Sequence, residues 1–237
     1  MALSSITKKL IMSISGLFLI LFLLLHTTIN FFAVVDAFKG TWGLPAGEGW
    51  YAGGCWFMAT PVIDIMVPVL ALGFVIHIIY AGYLTYGNMK ARGGYKRYEV
   101  ASKAKAESWA SKNMLVLGVI VLGFVAFHMS HFWAEMQYVE WFKGEHVAPE
   151  SVYALMELTF GNIWMVLIYI VWFAALWFHL THGFWSAFQT IGWSNKVWEK
   201  RLMLLGNGLA TLLCVCLIIT AIVGYLVANG VIPGSVL

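Results

Sequence analysis

The chain has 237 residues, 61% of them hydrophobic and only 11% charged, with a mean hydropathy of +0.83. That balance excludes an ordinary soluble domain, because too little polar surface is left to cover the apolar residues. The net charge of +3 says little about nucleic acid, but its distribution carries topology.

Five apolar stretches follow one another, at approximately residues 10–35, 62–89, 112–136, 160–190 and 203–229. A bilayer core requires about 20 consecutive apolar residues per helix, so each stretch can cross once. The expected fold is therefore all-α: a single integral membrane bundle of five transmembrane helices covering residues 1–237.

The first stretch follows Lys8 and Lys9 and carries Ser13, Gly16, His26 and Asn30. It resembles a signal peptide only superficially, since it runs to about Val35 without a small-residue cleavage site, and a retained helix is expected. Thr41 to Thr60 is too short and glycine-rich to cross. With Trp42, Pro45, Trp50, Tyr51 and Trp56 it is expected to cap something near the outer face. The second stretch contains Gly73, His77 and Gly82, and leads into a basic connection from Lys90 to Lys112, with a short helix expected over Glu99–Ala110. That connection reads either as a solvated loop or as a docking face for a cytoplasmic subunit. Gly118, Gly123, His128 and His131 lie on the third stretch, and His179 and His182 on the fourth. The fifth has no histidine, which suits a scaffold or a subunit contact.

Lys8, Lys9, Lys90, Arg92, Lys96, Arg97, Lys103, Lys105, Lys112, Lys196, Lys200 and Arg201, twelve of the fourteen basic residues, fall on one side of this arrangement. The other side holds Lys39 and Lys143 among Asp36, Glu48, Glu135, Glu140, Glu145, Glu150 and Glu157. The positive-inside rule places the N-terminus in the cytoplasm and the C-terminus outside. The three cysteines, Cys55, Cys214 and Cys216, form no CxxC unit, so no zinc or iron–sulfur site is encoded and packing roles are expected.

Six of the seven histidines lie in the spans. Ionisable groups in hydrocarbon are costly unless paired or liganded, so six exceed what helix-bridging hydrogen bonds account for. Counting rise along each helix, His26 lies roughly 24 Å above Leu10 and His128 roughly 24 Å above Lys112. His77 lies roughly 16 Å above Asn88 and His179 roughly 20 Å above Gly192, forming a lower layer. Two histidines facing each other across a flat macrocycle give the axial ligation of an electron-carrying heme. Carboxylates suited to a di-iron cluster or a proton relay are missing from among them. Depth does not choose within the doublets His128 with His131 and His179 with His182. Ser13, Gly16, Gly73, Gly82, Gly118 and Gly123 give either cofactor clearance or close helix packing.

Four motifs in order carry a resemblance over essentially the whole chain: SISGLFLILFLLLHTTINFF with Ser13, Gly16, His26 and Asn30; HIIYAGYLTYG with His77; FHMSHFW with His128; and WFHLTHGFWSAFQTIGW with His179. Together they resemble the single-chain, diheme cytochrome b subunit of the succinate:quinone oxidoreductase family of succinate dehydrogenases and fumarate reductases. The resemblance implies two b hemes, one held by His26 and His128 near the outer face, the other by His77 and His179 near the cytoplasm. Ser13, Gly16, Asn30, His131 and His182 become heme-pocket residues. It also implies a bacterial cytoplasmic membrane location, cytoplasmic flavoprotein and iron–sulfur subunits, a dimer of such complexes, and menaquinone or another quinone at an outer site with Glu48, Trp56 and Asp64 as candidates. The succinate/fumarate active site then lies on another chain, in keeping with the lack of a dinucleotide fingerprint here.

One departure matters. Members thought to move protons across the membrane have a glutamate where this chain has Trp177, which puts that pathway and the direction of turnover in doubt. Other readings of the residues are the cytochrome subunit of a hydrogenase or formate dehydrogenase, and a non-redox anchor or small transporter.

Overall fold

The computed structural model describes residues 4–91, 93, 109–193 and 195–234. Arg92, Lys96, Arg97, Lys103, Lys105 and almost all of the expected helix Glu99–Ala110 lie outside the described residues. Among the described residues every regular element is helical: α1 (Ser5–Lys39), α2 (Trp50–Met58), α3 (Pro61–Ala91), the single turn α4 (Trp109–Lys112), α5 (Met114–His131), α6 (Ser151–Phe160), α7 (Ile163–Ile191) and α8 (Trp198–Ala228). Five of them, α1, α3, α5, α7 and α8, are long and apolar enough to cross a membrane.

Local chemistry sets the ends. The Ser4 hydroxyl accepts the Thr7 amide at 3.1 Å and starts α1. Gly40, at φ 71°, turns the chain out of it while the Thr41 amide returns to the Asp36 carbonyl at 3.0 Å. The same closure ends α7: Gly192 has φ 92°, the Trp193 amide bonds the Phe188 carbonyl at 3.1 Å, and the two rings pack at 5.5 Å. The Asn162 and Asn195 side chains cap the starts of α7 and α8.

Helices α1 and α8 extend beyond the expected segments, and two spans are broken where continuous helix was expected. The third span, expected over 112–136, leaves α-helix at His131, because the Ala134 and Tyr138 amides bond carbonyls five residues back and widen the chain into a π-helical turn at Val139–Lys143. The start of the fourth is broken at Gly161 and Asn162, which separate α7 from the additional helix α6.

The chain forms two compact units, each drawing on all five long helices. The first comprises Met1–Phe22, Pro68–Val119 and Trp177–Thr211; the second comprises Leu23–Val67, Ile120–Leu176 and Leu212–Leu237. In the first unit, Leu117, Leu180, Trp185 and Leu202 are buried. Its helices approach closely where side chains are missing: a Cβ on Gly73 would meet the Phe18 ring at 2.8 Å, and one on Gly206 would meet Phe184 at 2.7 Å.

The second unit has a larger interior, containing Ala33, Val152, Tyr153, Met156, Tyr169, Phe173, Ala221 and Val227. Phe124 packs on Trp172 at 4.9 Å and on Tyr169 at 5.2 Å, and Phe160 on Tyr169 at 5.0 Å, within the separations favoured by aromatic pairs. Here α2 lies against α1 so tightly that a Cβ on Gly54 would fall 2.8 Å from the Ile29 side chain.

Asp36 and Glu157, counted from sequence only among the acidic residues of the outer side, sit in this interior, with exposures of 0% and 1%. Asp36 Oδ1 accepts the Thr41 hydroxyl at 2.7 Å and the Trp50 amide at 2.9 Å; Oδ2 accepts the Tyr51 amide at 2.7 Å and the Tyr153 hydroxyl at 2.6 Å. Four donors on one carboxylate, two of them amides of the first turn of α2, compensate its burial and fasten α2 and α6 to the end of α1. Glu157 accepts the Trp42 indole N–H at 2.8 Å.

Candidate functional site

Each unit contains one pair of histidines from different helices. In the second unit His26 of α1 and His128 of α5 face each other with ring centroids 5.7 Å apart and planes perpendicular at 90°. Asn30, one turn beyond His26, donates its amide to the His26 carbonyl at 2.8 Å and lies 3.4 Å from His26 Nε2. The Asn30 side-chain oxygen in turn accepts the Tyr51 hydroxyl at 3.0 Å. His128 Nδ1 lies 3.4 Å from the Tyr169 hydroxyl, and its ring is flanked by Phe132 at 5.1 Å and Phe124 at 5.8 Å.

In the first unit His77 of α3 and His179 of α7 have ring centroids 6.4 Å apart and planes at 68°. Backbone replaces aromatic rings around this pair. A Cβ on Gly16 would stand 3.2 Å from His77 Cε1, tighter than ordinary contact, and one on Gly118 would stand 3.8 Å from His179 Cε1. The Ser15 hydroxyl lies 3.2 Å from His77 Nδ1.

Ser15 was not a candidate from sequence, whereas Ser13 was. Both are buried, yet residues two apart on an α-helix point about 200° away from each other, so only one can address His77.

The spacing of the pairs bears on what they could hold. A bond of about 2 Å from a first-row metal to each imidazole nitrogen, with about 1.2 Å more to each ring centre, sets centroids about 6.4 Å apart across one ion. The 6.4 Å pair meets this distance and the 5.7 Å pair lies somewhat inside it. No group of three or more His, Cys, Asp or Glu among the described residues could enclose a metal. By distance the 6.4 Å pair fits the two axial positions of a heme, whose macrocycle would supply the remaining donors, and the 5.7 Å pair would have to open slightly to do the same.

The second histidine of each doublet is placed differently. His131 Nδ1 is 2.9 Å from the Phe127 carbonyl and its ring packs on Phe127 at 4.4 Å. His182 packs on Trp185 at 5.8 Å, and its Nδ1 is buried without a hydrogen-bond partner. Trp177, at the position of the departure, donates its indole N–H to the Thr211 hydroxyl at 2.9 Å.

The three quinone candidates lie in the second unit with different surroundings. Glu48 and Trp56 are exposed, while Asp64 accepts the Gln137 amide and the Trp141 indole, both at 3.2 Å. Sequence reasoning passed over the buried polar group of Asp36, Tyr51 and Tyr153. Burial raises the Tyr51 hydroxyl well above the ordinary tyrosine value, with Cys55 and Tyr153 adding to the effect. Burial and the hydrogen bond to Asp36 raise Tyr153, and burial pushes the Cys55 thiol up to about 12. The Tyr153 hydroxyl therefore keeps its proton and donates it to Asp36, while the Tyr51 hydroxyl keeps its own and donates to Asn30.

Comparison with known proteins returns no matching family model, no matching curated protein and no matching solved structure.

Proposed function

We propose that this chain is the membrane-anchor and electron-transfer subunit of a succinate:quinone oxidoreductase, holding two b-type hemes through His26 with His128 and His77 with His179. The observation that carries this reading is the pairing itself: twice, imidazoles from separate apolar helices face each other at 5.7 and 6.4 Å, with no third ligand grouped with them among the described residues. A bis-histidine heme, when bound, supplies one-electron exchange at an iron whose axial positions are both filled.

The chain's own residues do the rest. The four histidines bind and orient, Gly16 and Gly118 leave the rings of the first unit room, and the aromatic residues of the second unit exclude water from His128. In this reading the N-terminus is cytoplasmic, supported by the twelve basic residues on one side of the spans. The cytoplasmic face docks an iron–sulfur subunit and a flavoprotein, which carries the succinate/fumarate chemistry. A membrane quinone, menaquinone in the family resembled, exchanges electrons on the outer side, where Glu48, Trp56 and Asp64 remain the candidates. The location is a bacterial cytoplasmic membrane.

Reduced-minus-oxidised absorbance of the purified complex tests the hemes, with two per chain expected. Absence of b-type bands overturns the reading. Copurification with flavin-bearing and iron–sulfur subunits active on succinate or fumarate is the expected partner result. Copurification with a hydrogenase or formate dehydrogenase would overturn the succinate assignment while leaving the hemes in place.

A further inference from the structure

The two histidines of the first unit are unequally supported. His179 Nδ1 is buried with no hydrogen-bond partner, whereas His77 Nδ1 faces the Ser15 hydroxyl at 3.2 Å. The same hydroxyl lies 3.0 Å from the Met12 carbonyl, and Ser15 is 7% exposed, so water does not compete for it. A hydroxyl has one hydrogen, and a carbonyl has none to give. The Ser15 hydrogen therefore goes to Met12, and the Ser15 lone pair is what His77 meets. Gly16, whose Cβ would come within 3.2 Å of His77 Cε1, lets the ring lie close enough for this contact.

We propose that Ser15 is a positioning residue that fixes His77 as the Nδ1–H tautomer, leaving Nε2 as the nitrogen free to bind iron, and makes His77 the stronger electron donor of its pair. The inference rests on the proposed heme ligation. An acceptor on the outer nitrogen of a ligating imidazole holds its orientation and raises its basicity, as second-shell partners do in metal sites. A more basic ligand favours the ferric state. Ser15 then lowers the midpoint potential of one heme and leaves the other alone, because the His26 and His128 pair has different neighbours, Asn30 and Tyr169.

The test is a redox titration of the purified complex with native Ser15, Ser15→Ala and Ser15→Thr, read by the b-type absorbance bands and by low-spin electron paramagnetic resonance. Ser15→Ala is expected to keep two hemes and to raise one midpoint only. The ferrous-to-ferric ratio of that heme at fixed potential rises about tenfold, equivalent to about 59 mV for one electron. The resonance signal of the same heme shifts with it. Ser15→Thr, which keeps the hydroxyl, restores both readouts. Unchanged potentials in Ser15→Ala, an equal shift of both hemes, or a threonine variant as altered as the alanine one would each overturn the inference while leaving the ligation standing. If Ser15→Ala loses one heme outright, retention of both at native potentials by Ser15→Thr supports the inference and loss by both variants overturns it. A native complex without b-type bands overturns the ligation and this inference together.

Discussion

The two units surround the same kind of histidine pair with different materials. Around His26 and His128 the neighbours are aromatic rings and an amide–hydroxyl chain through Asn30 and Tyr51. Around His77 and His179 they are glycine backbone and one serine hydroxyl. A pair wedged by rings is held by many soft contacts, and removing one neighbour leaves others. A pair set against bare backbone depends on a few atoms being missing. The second unit should therefore tolerate substitution around its histidines better than the first, while the histidines themselves should be equally indispensable in both.

The largest effect tests that equality. His128→Ala or His26→Ala is expected to remove one heme and about half of the b-type absorbance, and His77→Ala or His179→Ala the other half, because a low-spin center needs both axial ligands. Redox titration of the residual band separates the two cases: the first substitutions and the second must leave hemes of different midpoint potential. Identical residual spectra and potentials from both sets would dissolve the distinction between the units.

Next comes the anchoring of the second unit. Asp36→Ala leaves the Trp50 and Tyr51 amides and the Tyr153 hydroxyl without their acceptor, a loss of about 3 kcal/mol or more for buried donors once paired with a charge. A lowered melting temperature in detergent, with α2 opened to proteolysis, is the expected result. The tyrosines add a pH dependence whose sign follows from their raised values. Tyr51 and Tyr153 hold their protons more tightly folded than unfolded, so their contribution is complete below the ordinary value of 10.0 and declines as pH rises above it. Tyr153→Phe should flatten that alkaline decline while lowering stability at neutral pH, through loss of the hydrogen bond to Asp36. A melting profile above pH 10 that is as steep in Tyr153→Phe as in the native chain would remove Tyr153 from this account.

How much of this was legible follows from which interactions are local. Five spans and their histidines are visible because a long apolar run is a property of consecutive residues, and α1, α3, α5, α7 and α8 lie close to the expected segments. Helix α6 was not visible. Ser151–Phe160 is short, and its end at Gly161 depends on tertiary packing, with the Asn229 side-chain amide reaching the Gly161 carbonyl at 3.1 Å from just beyond α8. Asp36 read as a loop charge because its four donors come from residues up to 117 positions away. The choice between Ser13 and Ser15 depends on the rotation of α1 relative to α3, which spacing along one helix does not contain.

A smaller effect probes the dependence of the first unit on missing atoms. Gly16→Ala places a methyl 3.2 Å from His77 Cε1, so either the ring or the helix must give. Overpacking of this kind costs about 1–3 kcal/mol. The expected outcome is a shifted potential or reduced occupancy of one heme. Gly118→Ala, whose methyl would lie at an ordinary 3.8 Å from His179 Cε1, should change little. If the two alanines behaved alike, close backbone approach would not be what distinguishes this unit.

The smallest expected effects belong to His131 and His182, and they sharpen the comparison because they test which member of each doublet the fold uses. His131 gives its Nδ1 to the Phe127 carbonyl and stacks on Phe127, one turn back along its own helix, so its loss removes a local contact and leaves the His26–His128 geometry intact. His182 packs against Trp185 of its own helix and leaves a buried nitrogen unpaired, so alanine there removes an unsatisfied polar atom along with some packing. Both His131→Ala and His182→Ala should retain two hemes, with melting temperatures close to native and His182→Ala the less destabilised of the two. Loss of a heme from either, with retention in His128→Ala or His179→Ala, would move the ligand by one helical step and rotate the assigned face of α5 or α7.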